Sequence, residues 1–469
     1  MGSKLREDLE LRRERAVLAT VVSDDSPEEP LAELQDLAET AGVLVVGAMQ
    51  QRRNRPDPRT WFGKGKIEEL AALAKELDAG VVIVDHDLSP QQLRNIEEAV
   101  KRKVIDRSEL ILDIFANRAT TREAQLQVEI AQLEYTAPRL RAMWSHLGQV
   151  VGGAPMGVGT RGPGEQQLEI DRRIVQRRLQ HLRRELAEIH ARSTRQLERR
   201  RAEHTVVGVV GYTNAGKSTL FNALTEGGAY ADDRLFATLG TRVERWSLGG
   251  GDDAMLTDTV GFIRDLPHHL VASFRSTLEQ ATTAHLLLIV LDVSDPEAER
   301  RHRSVRQVLE EIGAGEVPAV VALNKIDRLR ETRGDREASR ILEEWAAIEP
   351  GAVPISARSG TGLETLRLLV RDRLLGPRRE AEVQLPMSAS REIDLLEKRT
   401  EVLDRSYPEG GLMVRMRVRL ARGHAEALRG VPGALLDGRP AAEAIEALWP
   451  SASAEAATRV PPHRSLHPE

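Results

Sequence analysis

The sequence predicts a multidomain α/β protein: a parallel-sheet N-terminal domain, an antiparallel coiled-coil helical hairpin, a phosphate-loop α/β domain and a small α+β C-terminal domain. Three observations carry that prediction. Short β-branched runs alternate with helical patterns before residue 108, as parallel strands joined by crossover helices do. Two heptad seams then flank a glycine-rich stretch. A Gly-x4-Gly-Lys-Ser motif stands between an apolar run and a helix start. At 469 residues the chain is too long for one ordinary core and suggests three or four domains. The expected divisions are 14–108, 109–203, 204–376 and 377–438, followed by a weakly ordered tail over 439–469.

In the first division, 16–22, 43–46 and 80–84 read as strands and 31–40, 66–76 and 90–100 as helices, with 104–106 offering a fourth strand. Within it, Trp61-Phe-Gly-Lys-Gly-Lys66 is a glycine-lysine turn at a helix start. It reads as a plain helix entry rather than a phosphate site. Next, Leu126, Ile130, Leu133, Ala137, Leu140, Trp144 and Leu147 alternate steps of four and three, with Pro138 expected to kink the helix. Val175, Leu179, Leu182, Leu186 and Ile189 keep the same rhythm, so the two helices read as an antiparallel hairpin. Their connection, 152–165, is rich in glycine and holds Arg161, beside arginine pairs 172–173, 177–178 and 183–184. A flexible connector is the usual reading of such a loop. Its place at a hairpin tip beside those arginines favours contact with RNA.

The third division carries the chemistry. Gly211, Tyr212, Thr213, Asn214, Ala215, Gly216, Lys217 and Ser218 follow the apolar run 206–210 and precede the helical 219–224. Inward-facing amides of such a loop and the helix N-terminus favour an anion. Gly211 and Gly216 let the backbone approach phosphates, Lys217 places charge on the β/γ oxygens, and Ser218 offers a hydroxyl to Mg²⁺. Asp258, Thr259, Val260 and Gly261 come next: Asp258 is expected to orient Mg²⁺ through water, and the Gly261 amide to meet the γ-phosphate. Thr238, within Phe236, Ala237, Thr238, Leu239 and Gly240, is the candidate second hydroxyl on Mg²⁺. Asn324, Lys325, Ile326 and Asp327 close the apolar run 317–323, where parallel sheets place ligands. The Asp327 carboxylate can accept from both donors of guanine, the Lys325 stem can lie on the ring, and Asn324 ties loops together. Ser356, Ala357 and Arg358 fit a third loop whose amide reaches the guanine O6.

The order of these motifs resembles the translation-factor-related GTPases, which makes 204–376 a P-loop GTPase domain with GTP/GDP and Mg²⁺ as its cofactors. Lys217, Thr238 and Gly261 are the candidate catalytic residues. Phe262 stands where many GTPases carry a water-orienting glutamine. Whether it packs in the core or under a moving loop, it cannot hold the water, so turnover by the isolated chain is expected to be slow. Longer stretches narrow the resemblance: 63–70, 88–95, 104–115, 157–169, 236–239, 258–264 and 266–271 are together similar to the HflX family of ribosome-associated GTPases, over about residues 14–420. The resemblance implies binding to the large ribosomal subunit and its rRNA, a hairpin tip near the peptidyl-transferase region, and separation of stalled ribosomes into subunits. Gly240-Thr241 departs from the family's usual Asp-Pro-Thr after Leu239, so the switch loop is expected to be a residue shorter or to order differently. The alternative is a GTP-gated protein-interaction module that works through the hairpin without ribosomes. A second nucleotide site in the N-terminal domain has only the Gly63-Lys-Gly-Lys66 turn behind it.

Composition sets the outer bounds. A 41% hydrophobic and 30% charged chain is globular rather than disordered. No run reaches the ~18–20 apolar residues of a bilayer span, and residues 1–7 hold no apolar signal core. Without cysteine there is no thiol nucleophile, thiolate metal site or disulfide. The expectation is a cytoplasmic monomer with no membrane span and no DNA partner. A net charge of −5 argues against indiscriminate nucleic-acid coating, yet 161–203 carries twelve arginines against seven acidic residues. With only 3% aromatics, RNA contact would rest on arginine–phosphate pairs and shape rather than stacking. Beyond residue 377, strands over 382–385, 400–407 and 411–420 around a short helix at 390–398 make the small C-terminal sheet.

Overall fold

The computed structural model describes residues 14–23, 26, 29–144, 173–191, 205–225, 242–258, 261–262, 281–408 and 412–449. The glycine-rich tip with Arg161, and residues 226–241, lie outside them. The N-terminal layer is an all-parallel sheet in the order β2-β1-β3-β4: β1 (Arg15–Val22), β2 (Leu44–Arg52), β3 (Val81–Val84) and β4 (Lys103–Asp106). Every residue of β3 is buried, as a central strand covered on both faces requires. Its crossovers are α1 (Ala32–Thr40), α2 (Lys64–Glu76) and α3 (Pro90–Val100), and α4 (Arg107–Arg118) follows β4. The start of α3 is written in sequence: Ser89 and Gln92 form a reciprocal capping box, and Pro90 occupies the first turn. The strand expected at 43–46 runs on to Arg52. Its polar half, Gln50 to Arg52, lies on the sheet's edge, where those side chains need no core. Gly63 caps α2 and its amide donates to Gln51 Oε1 at 2.9 Å, so the glycine-lysine turn is a helix entry.

Helix α5 (Arg122–Trp144) runs unbroken through Pro138 and pairs with α6, residues 173–191. Leu126, Ile130 and Leu182 are buried between them, with Leu133, Leu179, Leu186 and Ile189 packed alongside. Arg122 pairs with Glu185 near one end and Glu129 with Arg178 further along, the order of an antiparallel hairpin, and Glu134 pairs with Arg183. Arg178 and Arg183 make these pairs at 2.7 and 2.6 Å, and Arg177, Arg178, Arg183 and Arg184 are all exposed.

A second sheet, ordered β10-β9-β8-β5-β7-β6, contains β5 (Thr205–Gly211), β6 (Arg242–Gly249), β7 (Asp252–Asp258), β8 (Leu286–Asp292), β9 (Ala319–Asn324) and β10 (Val353–Pro354). All its pairings are parallel except the β6–β7 hairpin at one edge. Helix α7 (Lys217–Leu224) follows β5; α8 (Ala298–Glu311), α9 (Ile326–Arg333), α10 (Asp335–Ile348) and α11 (Leu363–Leu375) complete the two covering layers.

The C-terminal sheet, β12-β13-β11-β14-β15, is antiparallel: β11 (Arg379–Pro386), β12 (Glu401–Ser406), β13 (Met413–Leu420), β14 (Leu435–Leu436) and β15 (Arg439–Pro440). Helices α12 (Ser390–Arg399) and α13 (Arg422–Glu426) lie between its strands. Here the structure corrects the first part of the tail expected over 439–469, of which 450–469 lie outside the described residues. Ala441–Leu448 is α14, and Ala441, Ala444, Ile445 and Trp449 are buried in the core of this layer. The alanines that looked like weak order are the best helix formers, and 441, 444, 445 and 448 share one face. Among the described residues, no helix is long and apolar enough to cross a membrane.

One buried carboxylate joins the first layer to the hairpin. Asp106, fully buried, caps α4 through the Glu109 amide and accepts from the Leu88 amide, the Tyr135 hydroxyl (2.6 Å) and the Arg139 guanidinium (2.7 Å). Removing one partner of such a set strands the others in low dielectric. Asp106→Ala is therefore expected to cost about 3–5 kcal/mol, read by urea unfolding followed by circular dichroism.

Candidate functional site

β5 delivers its C-terminal end into the phosphate loop, and α7 begins at Lys217. Asn214 and Gly216 both have positive φ (59° and 90°), which turns the chain tightly into the helix. The glycines have a sharper role than phosphate approach alone. A Cβ on Gly216 would stand 2.3 Å from Asn324 Nδ2, and one on Gly211 2.3 Å from the Val290 carbonyl oxygen. Lys217 is buried, and its ammonium donates to the Tyr212 carbonyl at 2.7 Å. Burial pushes its pKa down to about 8; Asp258 opposes that shift and Lys325 adds to it. At the neighbouring strand end, Asp258 Oδ2 accepts from Ser218 Oγ at 3.4 Å. Gly261 sits against Lys217 Nζ, so close that a Cβ would stand 2.8 Å away.

The guanine side is equally assembled. Asn324, 2% exposed, donates from Nδ2 to the Ala215 carbonyl and accepts at Oδ1 from the Ala357 amide, both at 2.9 Å. The tie expected of Asn324 is present. The Ala357 amide, expected to reach guanine O6, is here given to Asn324, and the Ser356 amide to the Thr361 carbonyl. Lys325 lies in the left-handed region (φ 65°) and pairs with Asp292 at 2.8 Å. Ile326 is buried in the core, so its side chain faces away from any ligand. Asp327 is partly buried in the first turn of α9, and Arg358 is exposed. Phe236, Ala237, Thr238, Leu239, Gly240, Thr259 and Val260 lie outside the described residues.

Phe262 is settled as a core residue. It is 2% exposed and packs with Val210, Tyr212, Ala281 and Ile289. Its amide donates to the Gly211 carbonyl at 3.0 Å, and its carbonyl accepts from the Thr213 amide at 2.7 Å. Asp292 belongs to the site but was missed. Its signal was the apolar run 286–291 that ends in a single carboxylate. A cleft of about 380 Å³ opens beside the loop, between Glu29, Glu33 and Asp36 of the N-terminal layer and Asn214, Asp292 and Arg328 of the second. A groove of about 500 Å³ on α6, lined by Gln176, Arg183 and Arg184 among others, gathers no such functional groups.

Residues 28–116 match the family described as GTP-binding GTPase N-terminal, and 118–200 the GTP-binding GTPase middle region. Residues 206–325 match the 50S ribosome-binding GTPase family. A GTPase HflX from Caldanaerobacter subterraneus subsp. tengcongensis is 40% identical, over 88% of this chain and 92% of that protein. The GTPase HflX of Escherichia coli is 42% identical, over 81% and 87%. A solved GTP-binding protein from Sulfolobus solfataricus in complex with GDP is 26% identical, over 77% of this chain and 98% of that one, with a TM-score of 0.41.

The close approach at Gly216 gives a direct test. Gly216→Ala forces a side chain into the Asn324 amide and into an unfavourable φ, so guanine nucleotide binding should weaken by at least about tenfold. Equilibrium titration with a fluorescent GDP analogue measures it.

Proposed function

The chain belongs to the HflX family of GTPases, and from that premise we propose that it hydrolyses GTP on the large ribosomal subunit and promotes separation of ribosomes into subunits. The observation that carries the reading is the convergence of the phosphate loop, Asp258, Gly261 and the Asn324–Asp327 segment at the ends of parallel strands. Lys217 places its charge on the β/γ oxygens, and the Gly261 amide, beside it, faces the γ-phosphate. Asp327 reads the two donors of guanine, and the Lys325 stem covers the base once it leaves Asp292.

The all-oxygen pair Ser218 and Asp258, facing one another across the loop, suits Mg²⁺, with Thr238 as a further hydroxyl. When bound, that ion would neutralise charge on the β and γ oxygens. Phosphoryl transfer also needs a positioned water. Phe262 is buried and apolar, so positioning falls to another group. Order imposed by the ribosome on the switch segments answers that need. Exposed Arg177 and Arg184, with Arg161 at the tip, suit contact with rRNA phosphates. The protein is read as a cytoplasmic monomer in this role.

Phosphate release by the isolated chain should be slow and should rise at least about tenfold with large subunits; deletion of 157–164 should blunt that rise and leave basal turnover intact. Sucrose-gradient cosedimentation with a non-hydrolysable GTP analogue, and with GDP, runs alongside. No nucleotide-dependent association would favour the protein-interaction module instead. Asp327→Asn should shift preference from guanine toward xanthine nucleotides, because an amide can donate to the xanthine 2-oxo group; competition binding with XDP and GDP checks it.

A further inference from the structure

The second residue of the phosphate loop, Tyr212, points away from the phosphate side and into the N-terminal layer. Its ring is 4% exposed, and its hydroxyl donates to Glu33 Oε1 at 2.6 Å, across 179 positions of sequence. Glu33, in the first turn of α1, also meets Arg107 at 3.2 Å. Arg107, 2% exposed, reaches Asp85 at 2.7 Å. Asp85 and Arg107 stand just beyond the C-terminal ends of β3 and β4. On its other side the Tyr212 ring lies under the Arg301 guanidinium, 4.9 Å from the ring centre, and Arg301 pairs with Asp295.

The backbone of the same residue belongs to the catalytic side. Its carbonyl takes the Lys217 ammonium, and Tyr212 bridges to Phe262, the residue after Gly261. One residue therefore touches the phosphate-binding lysine, the segment that would meet the γ-phosphate, and a buried ionic set in another layer. A buried ionic set is a poor source of stability compared with apolar packing of the same volume, but it fixes direction. Apolar contacts would hold the two layers together without fixing the rotation of the tyrosine.

We propose that Tyr212 is a positioning residue for GTP hydrolysis, held by Glu33, so that the docking of the N-terminal layer sets the geometry of Lys217 and of the Gly261–Phe262 segment. The proposal rests on Lys217 as a phosphate ligand. In this arrangement the phenol hydroxyl contributes nothing to nucleotide affinity directly. Its contribution lies in the catalytic step.

The test is steady-state GTP hydrolysis by the full chain, comparing Tyr212→Phe, Glu33→Gln and the double variant, with kcat scaled to the folded fraction by circular dichroism. Tyr212→Phe keeps the ring under Arg301, and Glu33→Gln keeps an acceptor of the same size. Each single change should lower kcat roughly three- to tenfold with KM within about twofold, the effect of weakening one hydrogen bond to a charged group. The double variant should fall no further than the worse single, because both act through one contact. A scaled kcat that is unchanged or raised, or two losses that multiply, overturns the proposal. Lys217→Ala, run in parallel, separates the two readings: normal turnover there removes the phosphate-ligand assignment itself, whatever Tyr212 does.

Discussion

The site depends on one buried side-chain amide. Asn324 joins three loops that come from three different strands: it ends β9, donates to the phosphate loop after β5, and accepts from the loop after β10. The phosphate loop and the loop after β10 are rich in glycine or serine. Buried polar groups must be paired, so the amide, once enclosed, forces the loops into a single arrangement. Gly216 is the other half of the same constraint, because only a residue without a Cβ lets the Asn324 amide come so close. The site is thus tied together by backbone and amide contacts.

Much of this was legible in the sequence because the chemistry demands fixed residue types. Glycine at 211 and 216, lysine at 217 and the Asn324–Asp327 run stand at spacings set by phosphate and guanine geometry. The parallel N-terminal sheet was legible too, since its strands are short, β-branched and separated by helix-length segments. What escaped has a different physical origin. β6 alternates only weakly, with Trp246 and Leu248 turned inward, as an antiparallel edge strand will. Asp292 was hidden because a carboxylate after an apolar run marks a strand end in any α/β protein. The Glu33–Tyr212–Arg107 set could not be read, because its members lie far apart in the chain and the motif that holds Tyr212 says nothing of its side-chain partners.

The arginine excess of 161–203 suggested contact with RNA phosphates. In the hairpin, Glu129 and Glu134 on the facing helix take up Arg178 and Arg183, so net charge overstated what is free. Exposed pairs of this kind add little stability, of order 0–1 kcal/mol each. A basic segment and an accessible basic surface are different properties, and pairing across a fold separates them.

β7 shows how the layers share one mechanical frame. At its far end Asp252, 3% exposed, is gripped by His424 Nε2 at 2.7 Å and by Arg378 at 3.1 Å, both from the C-terminal part of the chain. Six residues later, at the near end, Asp258 faces Ser218. A strand of that length spans about 20 Å and cannot stretch, and β5 beside it is hydrogen-bonded along five registered pairs. The carboxylate at the phosphate site is therefore placed by a rod anchored in the C-terminal layer. The phosphate loop, at the end of the neighbouring strand, carries Tyr212, whose hydroxyl donates to Glu33 of the N-terminal layer. A displacement of either outer layer that respects these contacts reaches the site as a relative shift of Asp258 against Lys217.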